Sequence, residues 1–394
     1  MWAEAHATFD FRTPIFDVRT LLPLFKVFVA PEANELVAQT LSSGYIAQGP
    51  KVDAFEQLLR EHFGNSRICT VNSCTSAIHL ALHLVKREYG LPDGAEVISS
   101  PLTCAATNFP VVANRLAIRW ADVDPDTFNI DLADVERKLS ADTRILLFVH
   151  WGGYPVDYER LAEVSTSYRR RFKQELIVIE DCAHAWESYY HGQLVGAVQV
   201  NFACFSFQAI KALTTSDGGL LIAPNDALCR QARLARWFGL DRDNKLDFRS
   251  SQDIANWGFK FHMNDMAASV GLANYPHVRS LVARNKENAR VYDDELRGVA
   301  GLTLPERRDG FDPSYWLFTI QVENRTAFVR AMESSGIQVN QVHTRNDKYT
   351  ALAEFQTDLP QMDRIAEEMI CIPVGWWIDD TARRHIIDAI KRGW

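Results

Sequence analysis

Two kinds of apolar spacing alternate along the chain. Short runs with little polar interruption occur at Cys69–Val71, Glu96–Ser100, Ala117–Ala121, Ile145–His150, Leu176–Ile179 and Phe202–Phe207. Runs of that kind suit strands covered on both faces, as in a parallel sheet. Between them lie stretches at helical spacing: 31–44, 51–63 (Val52, Phe55, Leu58, Leu59), 72–84 (Ile78, Leu80, Ala81, Leu82, Leu84), 106–113 and 132–139. Strand and helix in alternation with short links predict an α/β fold, a large domain whose mostly parallel sheet is flanked by helices. A long helical stretch then runs to about Arg297, with an interruption expected at Pro276. Beyond Gly301 the pattern changes to strands at Trp316–Val322, Ile337–Val342 and Met369–Ile372 and helices at Arg325–Ser334 and Asp379–Lys391. That suits a small C-terminal α/β domain closing over the large one. The expected division is a loosely attached N-terminal arm over 1–22, a large domain over 23–298 and a small domain over 299–394.

The stretch from Leu176 to Ile222 carries the chemistry. Its first apolar run stops on Glu180 and Asp181, and in open α/β sheets ligands gather beyond the carboxyl ends of the strands. The second run ends in Gln208-Ala209-Ile210-Lys211, and Thr214 to Gly219 then reads as a turn into a returning strand, Leu220–Ile222. Lys211 lies among Ile210, Ala212 and Leu213. Burial lowers a lysine pKa, and a neutral amine attacks a carbonyl. Taken alone, Asp181 reads first as a helix cap and Lys211 as part of a solvated turn. Together, a carboxylate at a strand end and a sheltered lysine in the same layer meet the needs of pyridoxal phosphate (PLP): the lysine holds the cofactor as a Schiff base, and the carboxylate keeps the pyridine nitrogen protonated. Asn72-Ser73-Cys74-Thr75-Ser76 opens a helix with small hydroxyl residues. That start is either an ordinary cap or a phosphate site made of free N–H groups, hydroxyls and the helix dipole.

Asp181-Cys182-Ala183-His184, Gly192 to Gly196, Phe205-Ser206-Phe207 to Lys211 and Asp217-Gly218-Gly219 resemble the signature of the DegT/StrS-like sugar aminotransferases, PLP enzymes of fold type I. The likeness covers nearly all of the chain after about Leu22. It implies that Lys211 carries the cofactor and shuttles the proton, that Asp181 pairs with the pyridinium, and that His184 lies beside the ring or its 3′-oxygen. It implies a phosphate site at Thr75, Ser76 and Ser206, with Cys74 where glycine is usual. Cys104 stands where the family has a stacking aromatic, so either a sulfur contact or a ring from elsewhere takes its place. Gly258 to Asp265 is similar to a segment that reaches the neighbouring subunit's cofactor phosphate, which makes Lys260 and His262 candidates in a homodimer with a shared active site. Tyr45, in the 45–50 loop, is either a substrate contact or a packing ring. His343 and Arg345 are substrate candidates, Arg345 through its two-pronged guanidinium. The implied reaction is transfer of an amino group from glutamate to a keto-sugar, nucleotide-linked. The alternatives are a ketocyclitol acceptor, a sugar dehydratase (which in relatives replaces the lysine by histidine) and a PLP-holding regulator without turnover.

Composition narrows the class. A formal charge of −8 argues against nucleic acid as a partner. No apolar run approaches the ~20 residues needed to cross a bilayer, and the first residues lack the basic start and apolar core of a secretory signal. Seven cysteines, an odd number and mostly in apolar context, read as reduced thiols of a cytoplasmic protein. With no Cys-x-x-Cys or His-Glu-x-x-His spacing, no metal site is expected. Arg230, Arg233, Arg236 and Arg242, with Trp237, form a basic patch that is either a solvated helix face or a site for an anionic substrate.

Overall fold

Residues in the apolar runs point alternately to opposite sides of one sheet, and both sides are covered. In a computed structural model that describes residues 21–198, 201–242 and 251–394, Ile145, Leu147 and Val149 join one buried cluster while Leu146 and Phe148 join another. This is why the runs carry no polar alternation. Each such aliphatic side chain taken out of water stabilises the fold by roughly 1.5–3 kcal/mol. The expected N-terminal arm, 1–22, lies outside the described residues up to position 20.

The strands and helices of the first part are α1 (Ala33–Ser43), α2 (Pro50–Phe63), β1 (Ile68–Val71), α3 (Cys74–Glu88), β2 (Glu96–Ser99), α4 (Ala105–Ala113), β3 (Ala117–Trp120), α5 (Leu132–Lys138), β4 (Thr143–Val149), α6 (Tyr158–Phe172) and β5 (Ile177–Asp181). Two short strands follow, β6 (Tyr189–Tyr190) and β7 (Gln193–Leu194), then β8 (Phe202–Ser206), β9 (Gly219–Ile222), α7 (Asp226–Ala235) and α8 (Asp265–Leu296). The seven-stranded sheet has the order β1-β9-β8-β5-β4-β2-β3. β3, β2, β4, β5 and β8 are parallel, and β9 runs antiparallel to both β8 and β1. The expected returning strand is therefore present. It also brings β1, and the helix start that follows it, alongside the hairpin that carries Lys211.

The remaining elements are β10 (Leu302–Thr303), β11 (Phe311–Asp312), β12 (Phe318–Val322), α9 (Arg325–Ser334), α10 (Pro360–Glu368), β13 (Met369–Ile372) and α11 (Asp380–Lys391). β10, β12 and β13 form a three-stranded sheet with its own core. Ala289, Tyr292 and Leu296 at the end of α8 belong to that core, whereas Ala267 and Ala268 at its start pack with the large sheet.

Three expectations about local structure need correction. Helix α8 is not interrupted: it continues through Pro276, where only one N–H donor is missing and buried residues on both sides (Ala273, Val278, Val282) hold the helix in place. The stretch Ile337–Val342 forms no strand. Its β-pairing is limited to isolated bridges, Leu22 with Ile337 and Asn340 with Cys371, and it ends on Val342 at φ +70°, which extended backbone excludes. The strand expected from Trp316 begins at Phe318, leaving Trp316 free to face elsewhere.

A buried carboxylate ties β1 to the helices beside it. Glu56 on α2 accepts from the Thr70 N–H (3.0 Å) and hydroxyl (2.8 Å), from Arg236 (2.6 Å) and from Arg233 (3.1 Å). Burial pushes this carboxyl up, but the facing Arg236 and Arg233, with the hydrogen bonds from Arg236 and Thr70, outweigh it and hold it at about 2 against an ordinary 4.5. A folded-state pKa below the unfolded one stabilises above pH 4.5, and that contribution is lost as pH falls towards 2. Glu56→Gln is expected to lower stability at pH 7 by about 3 kcal/mol, because it leaves Arg236 buried without its counter-charge. In urea unfolding the gap from the parent protein should shrink between pH 4.5 and 2; an equal gap at pH 3 and pH 7 would contradict the assignment.

Candidate active site

Asp181 ends β5 and is 4% exposed. Its Oδ2 accepts a hydrogen bond from the Thr107 hydroxyl at 2.6 Å, and its Oδ1 accepts the Ala183 N–H at 3.0 Å. Because Thr107 gives its proton to the carboxylate, the Thr103 hydroxyl 2.7 Å away must donate to Thr107. Cys74 Sγ, at the start of α3, faces Oδ1 at 3.7 Å. Burial and the nearby Asp181 push that thiol well up, so it stays protonated and is a weak donor. A carboxylate accepts about four hydrogen bonds, so these three donors leave capacity for one more.

Lys211 lies in the hairpin between β8 and β9, in a turn closed by its own N–H to the Gln208 carbonyl (2.9 Å). The side chain is half-buried, with Nζ 3.5 Å from the centroid of the Trp316 ring. Burial lowers its pKa from 10.5 to about 8, opposed by the Asp181 carboxylate and by the neighbouring Cys104 and Cys74. A workable fraction of neutral amine is therefore present near neutral pH.

Aromatic rings surround this amine. The His184 ring stacks on Trp316 at 3.9 Å and 22°, with His343 parallel to it at 5.8 Å and Trp151 edge-on at 5.8 Å. His184 Nδ1 accepts the Gly152 N–H at 3.3 Å, which assigns the proton to Nε2 in the neutral ring. Burial, Lys211 and His343 hold His184 well below the ordinary histidine pKa, and burial with Lys211 takes His343 to about 4. Both are neutral at physiological pH. Gly153 is required beside His184: its φ is +90°, and a Cβ there would lie 2.2 Å from Ser314 Oγ and 2.6 Å from the His184 carbonyl. Asn346 fixes the His343 loop to the turn that carries Cys104. It donates to the Thr103 carbonyl (2.8 Å), accepts from Asn108 (2.9 Å) and bonds through its N–H to Pro101 (2.8 Å). Val342, β-branched at φ +70°, is the strained residue immediately before His343.

The start of α3 completes the site. Ser73 caps the helix by accepting the Ser76 N–H, and the helix leaves its first N–H groups without intrahelical partners. Ser206 pairs with Gly219 across the β8–β9 ladder, and Val71 pairs with Gly219 on the other side. A Cβ on Gly219 would sit 2.4 Å from the Ser73 carbonyl carbon and 2.6 Å from the Cys74 nitrogen. Glycine thus lets β9 close up on the helix start, so the strand that pairs with Ser206 also packs against Ser73 and Cys74.

The remaining sequence candidates have different surroundings. Tyr45 is 69% exposed. Lys260 and His262 gather around Trp237, with Lys260 Nζ 5.1 Å from its ring and His262 edge-on at 3.9 Å. Their segment pairs with this chain's own Val71 and Asn72. Burial, then Arg242 and Lys260, lowers His262 to about 4. Arg345 is not free to bind a substrate carboxylate: its fork grips Asp347 through two bonds of 2.7 Å and reaches Asp363. His150, Glu180 and Cys182 converge within 4.8 Å, but His150 Nδ1 accepts the Val156 N–H. Its Nε2–H therefore turns to Glu180 Oε2, which also receives Tyr158 and Cys182, while Glu180 Oε1 is buried without a partner. Trp316, Phe25, Thr107 and Asn346 were not foreseen as site residues. Trp316 was hidden by the apolar run that follows it.

Residues 29–391 match the family described as the DegT/DnrJ/EryC1/StrS aminotransferase family. The crystal structure of AtS13 from Actinomadura melliaura superposes with a TM-score of 0.91 at 43% identity, over 95% of this chain and 99% of that one. The sugar aminotransferase CalS13 from Micromonospora echinospora gives 0.91 at 40% identity, over 95% and 100%. SpsC, a spore coat polysaccharide biosynthesis protein of Bacillus subtilis, is 30% identical over 385 residues, 94% of this chain and 96% of that protein.

Labelling of Lys211 in the cofactor-free protein by an amine reagent, followed by peptide mapping across a pH series, should titrate near pH 8. Asp181→Asn removes the carboxylate that favours the ammonium, so its midpoint should fall further. A midpoint near 10.5, or one that rises in Asp181→Asn, would contradict the geometry.

Proposed function

This chain belongs to the DegT/DnrJ/EryC1/StrS aminotransferase family and is a PLP-dependent enzyme, and we propose that it moves an amino group from glutamate to the ketone of a nucleotide-linked sugar. The observation that carries this reading is that the strand ends of the sheet hold both the Lys211 amine, at a pKa of about 8, and the Asp181 carboxylate. The residues fit the cofactor. Asp181 keeps capacity for one more hydrogen bond, as from a pyridine nitrogen, the start of α3 with Thr75, Ser76 and Ser206 suits a phosphate, and Lys211 supplies the amine for an aldehyde. When bound, PLP supplies an electron sink that stabilises negative charge on the substrate carbon. Lys211 then holds or moves the proton at that carbon, within the reach of its own side chain. Asp181, supported by Thr107 and Ala183, holds charge at the far side of the site without reorganising. His184 and His343, both neutral, donate or accept hydrogen bonds without adding a competing charge. His343 Nε2 is buried without a partner, which supports its assignment to a substrate hydroxyl or carbonyl.

The sugar acceptor is supported by CalS13, a sugar aminotransferase, and by SpsC in spore coat polysaccharide biosynthesis. Retention of Lys211 favours amino transfer over dehydration. A homodimer with Lys260 or His262 lent to the partner's phosphate is part of the proposal. It is supported by the exposure of Leu41 (57%), Tyr45 (69%), Ile46 (52%) and Trp257 (64%). A boundary at 298/299, with 299–394 as a small closing domain, is supported by the separate core of the three-stranded sheet. Among the described residues no helix is long and apolar enough to cross a membrane. The free cysteines, all buried except the partly buried Cys104, support a cytoplasmic setting.

Glutamate added to the yellow, cofactor-loaded protein should bleach its long-wavelength absorbance, and a cognate keto-sugar nucleotide from a panel should restore it. Lys211→Ala should slow that exchange by about 10²–10⁴-fold. A spectrum unmoved by glutamate would remove the donor, and one never restored by the panel would remove the acceptor.

A further inference from the structure

Trp316 grips both ends of the residue pair that matters most. Its indole N–H donates to the carbonyl of Ile210, the residue before the lysine, at 2.8 Å, while its ring lies 3.5 Å from the Lys211 amine. The indole is itself fixed: it is 8% exposed, stacked with Phe25 at 5.2 Å and on His184 at 3.9 Å. Tyr315 at φ +49° turns the chain so that Trp316 leaves the line of β12 and enters the site. No salt bridge of Lys211 occurs among the described residues, and the Trp316 ring face lies 3.5 Å from its amine.

We propose that Trp316 is a positioning residue for Lys211, holding the amine by cation–π attraction whenever it is free of the cofactor, in the part of the cycle where it must carry a proton. This rests on the aminotransferase reading and adds a residue to it. The groups facing the amine from every packed element are Asp181 at the end of β5, Cys104 before α4, Cys74 at the start of α3, His184 after β5 and His343 in its loop. The two histidines are neutral and give an ammonium no counter-charge. Burial destabilises the ammonium, and the negative ring face of Trp316 works with Asp181 against it. An aliphatic residue of similar size would keep the packing and lose the attraction, leaving the amine less basic and free to take other rotamers.

The test uses Trp316→Leu and Trp316→Phe with two readouts. In the cofactor-free proteins, the pH midpoint for labelling Lys211 with trinitrobenzenesulfonate should fall by roughly one unit in Trp316→Leu and recover most of the way in Trp316→Phe. In the loaded proteins, the single-turnover rate with glutamate should fall about tenfold in Trp316→Leu, with the glutamate concentration for half-maximal rate within about twofold of the parent, and Trp316→Phe should recover much of the rate. Unchanged midpoints in both variants would reduce the indole to packing and overturn the proposal. Should Trp316→Leu fail to fold, the Trp316→Phe midpoint decides: a small downward shift supports the proposal, and none overturns it. The labelling readout needs neither glutamate nor sugar, so a wrong donor or acceptor would leave it intact.

Discussion

A buried carboxylate and a half-buried amine held at the strand ends of a mostly parallel sheet set the demands that the surrounding structure meets. A charged group taken from water is unfavourable unless hydrogen bonds replace the solvent. Asp181 has Thr107, Ala183 and Cys74 in that role, and Thr107 is itself oriented by Thr103. The amine reaches the same strand ends because β9 turns back antiparallel beside β8. That return also brings β1 and the start of α3 against the hairpin, through the close approach at Gly219. The Glu56 network then anchors β1 from behind through Thr70. Fold and site are thus one arrangement, since the same hairpin that completes the sheet carries the lysine.

The C-terminal part supplies aromatic and imidazole rings to those strand ends. Trp316 precedes β12, and His343 precedes the Asn346 contacts that fix its loop to the Thr103 turn. Trp151 spans the two parts: its indole N–H donates to Thr319 on β12 at 2.9 Å, while its ring meets His184 edge-on. The rings make the surroundings of Lys211 apolar without adding charge, which is the condition for an amine that is partly neutral near physiological pH.

Much of this was legible in the sequence because it depends on local pattern. The uninterrupted apolar runs identify strands covered on both faces, and their ends, at Glu180-Asp181 and at Gln208 to Lys211, mark where chemistry sits. The motif spacing that carries Lys211, Asp181 and His184 is likewise local. What was not legible depends on contacts far apart in the chain. Phe25 and Trp316 meet across nearly three hundred residues with no spacing to announce it. Arg345 reads as a free two-pronged cation until Asp347 and Asp363 are seen on it. Pro276 reads as a break because propensity is local, whereas the packing on both sides of it is not. Ile337–Val342 has the composition of a strand, but only isolated bridges form and Val342 turns out of the extended region.

The central claim is that Lys211, and no other amine of the chain, takes the cofactor. Reduction of the PLP-loaded protein with borohydride, digestion and mass mapping of the peptides tests it directly. The account predicts one dominant pyridoxyl-phosphate adduct, on the peptide that contains Lys211, and none in Lys211→Ala. An adduct on a different lysine, or a reduced protein with no stable adduct, would contradict it.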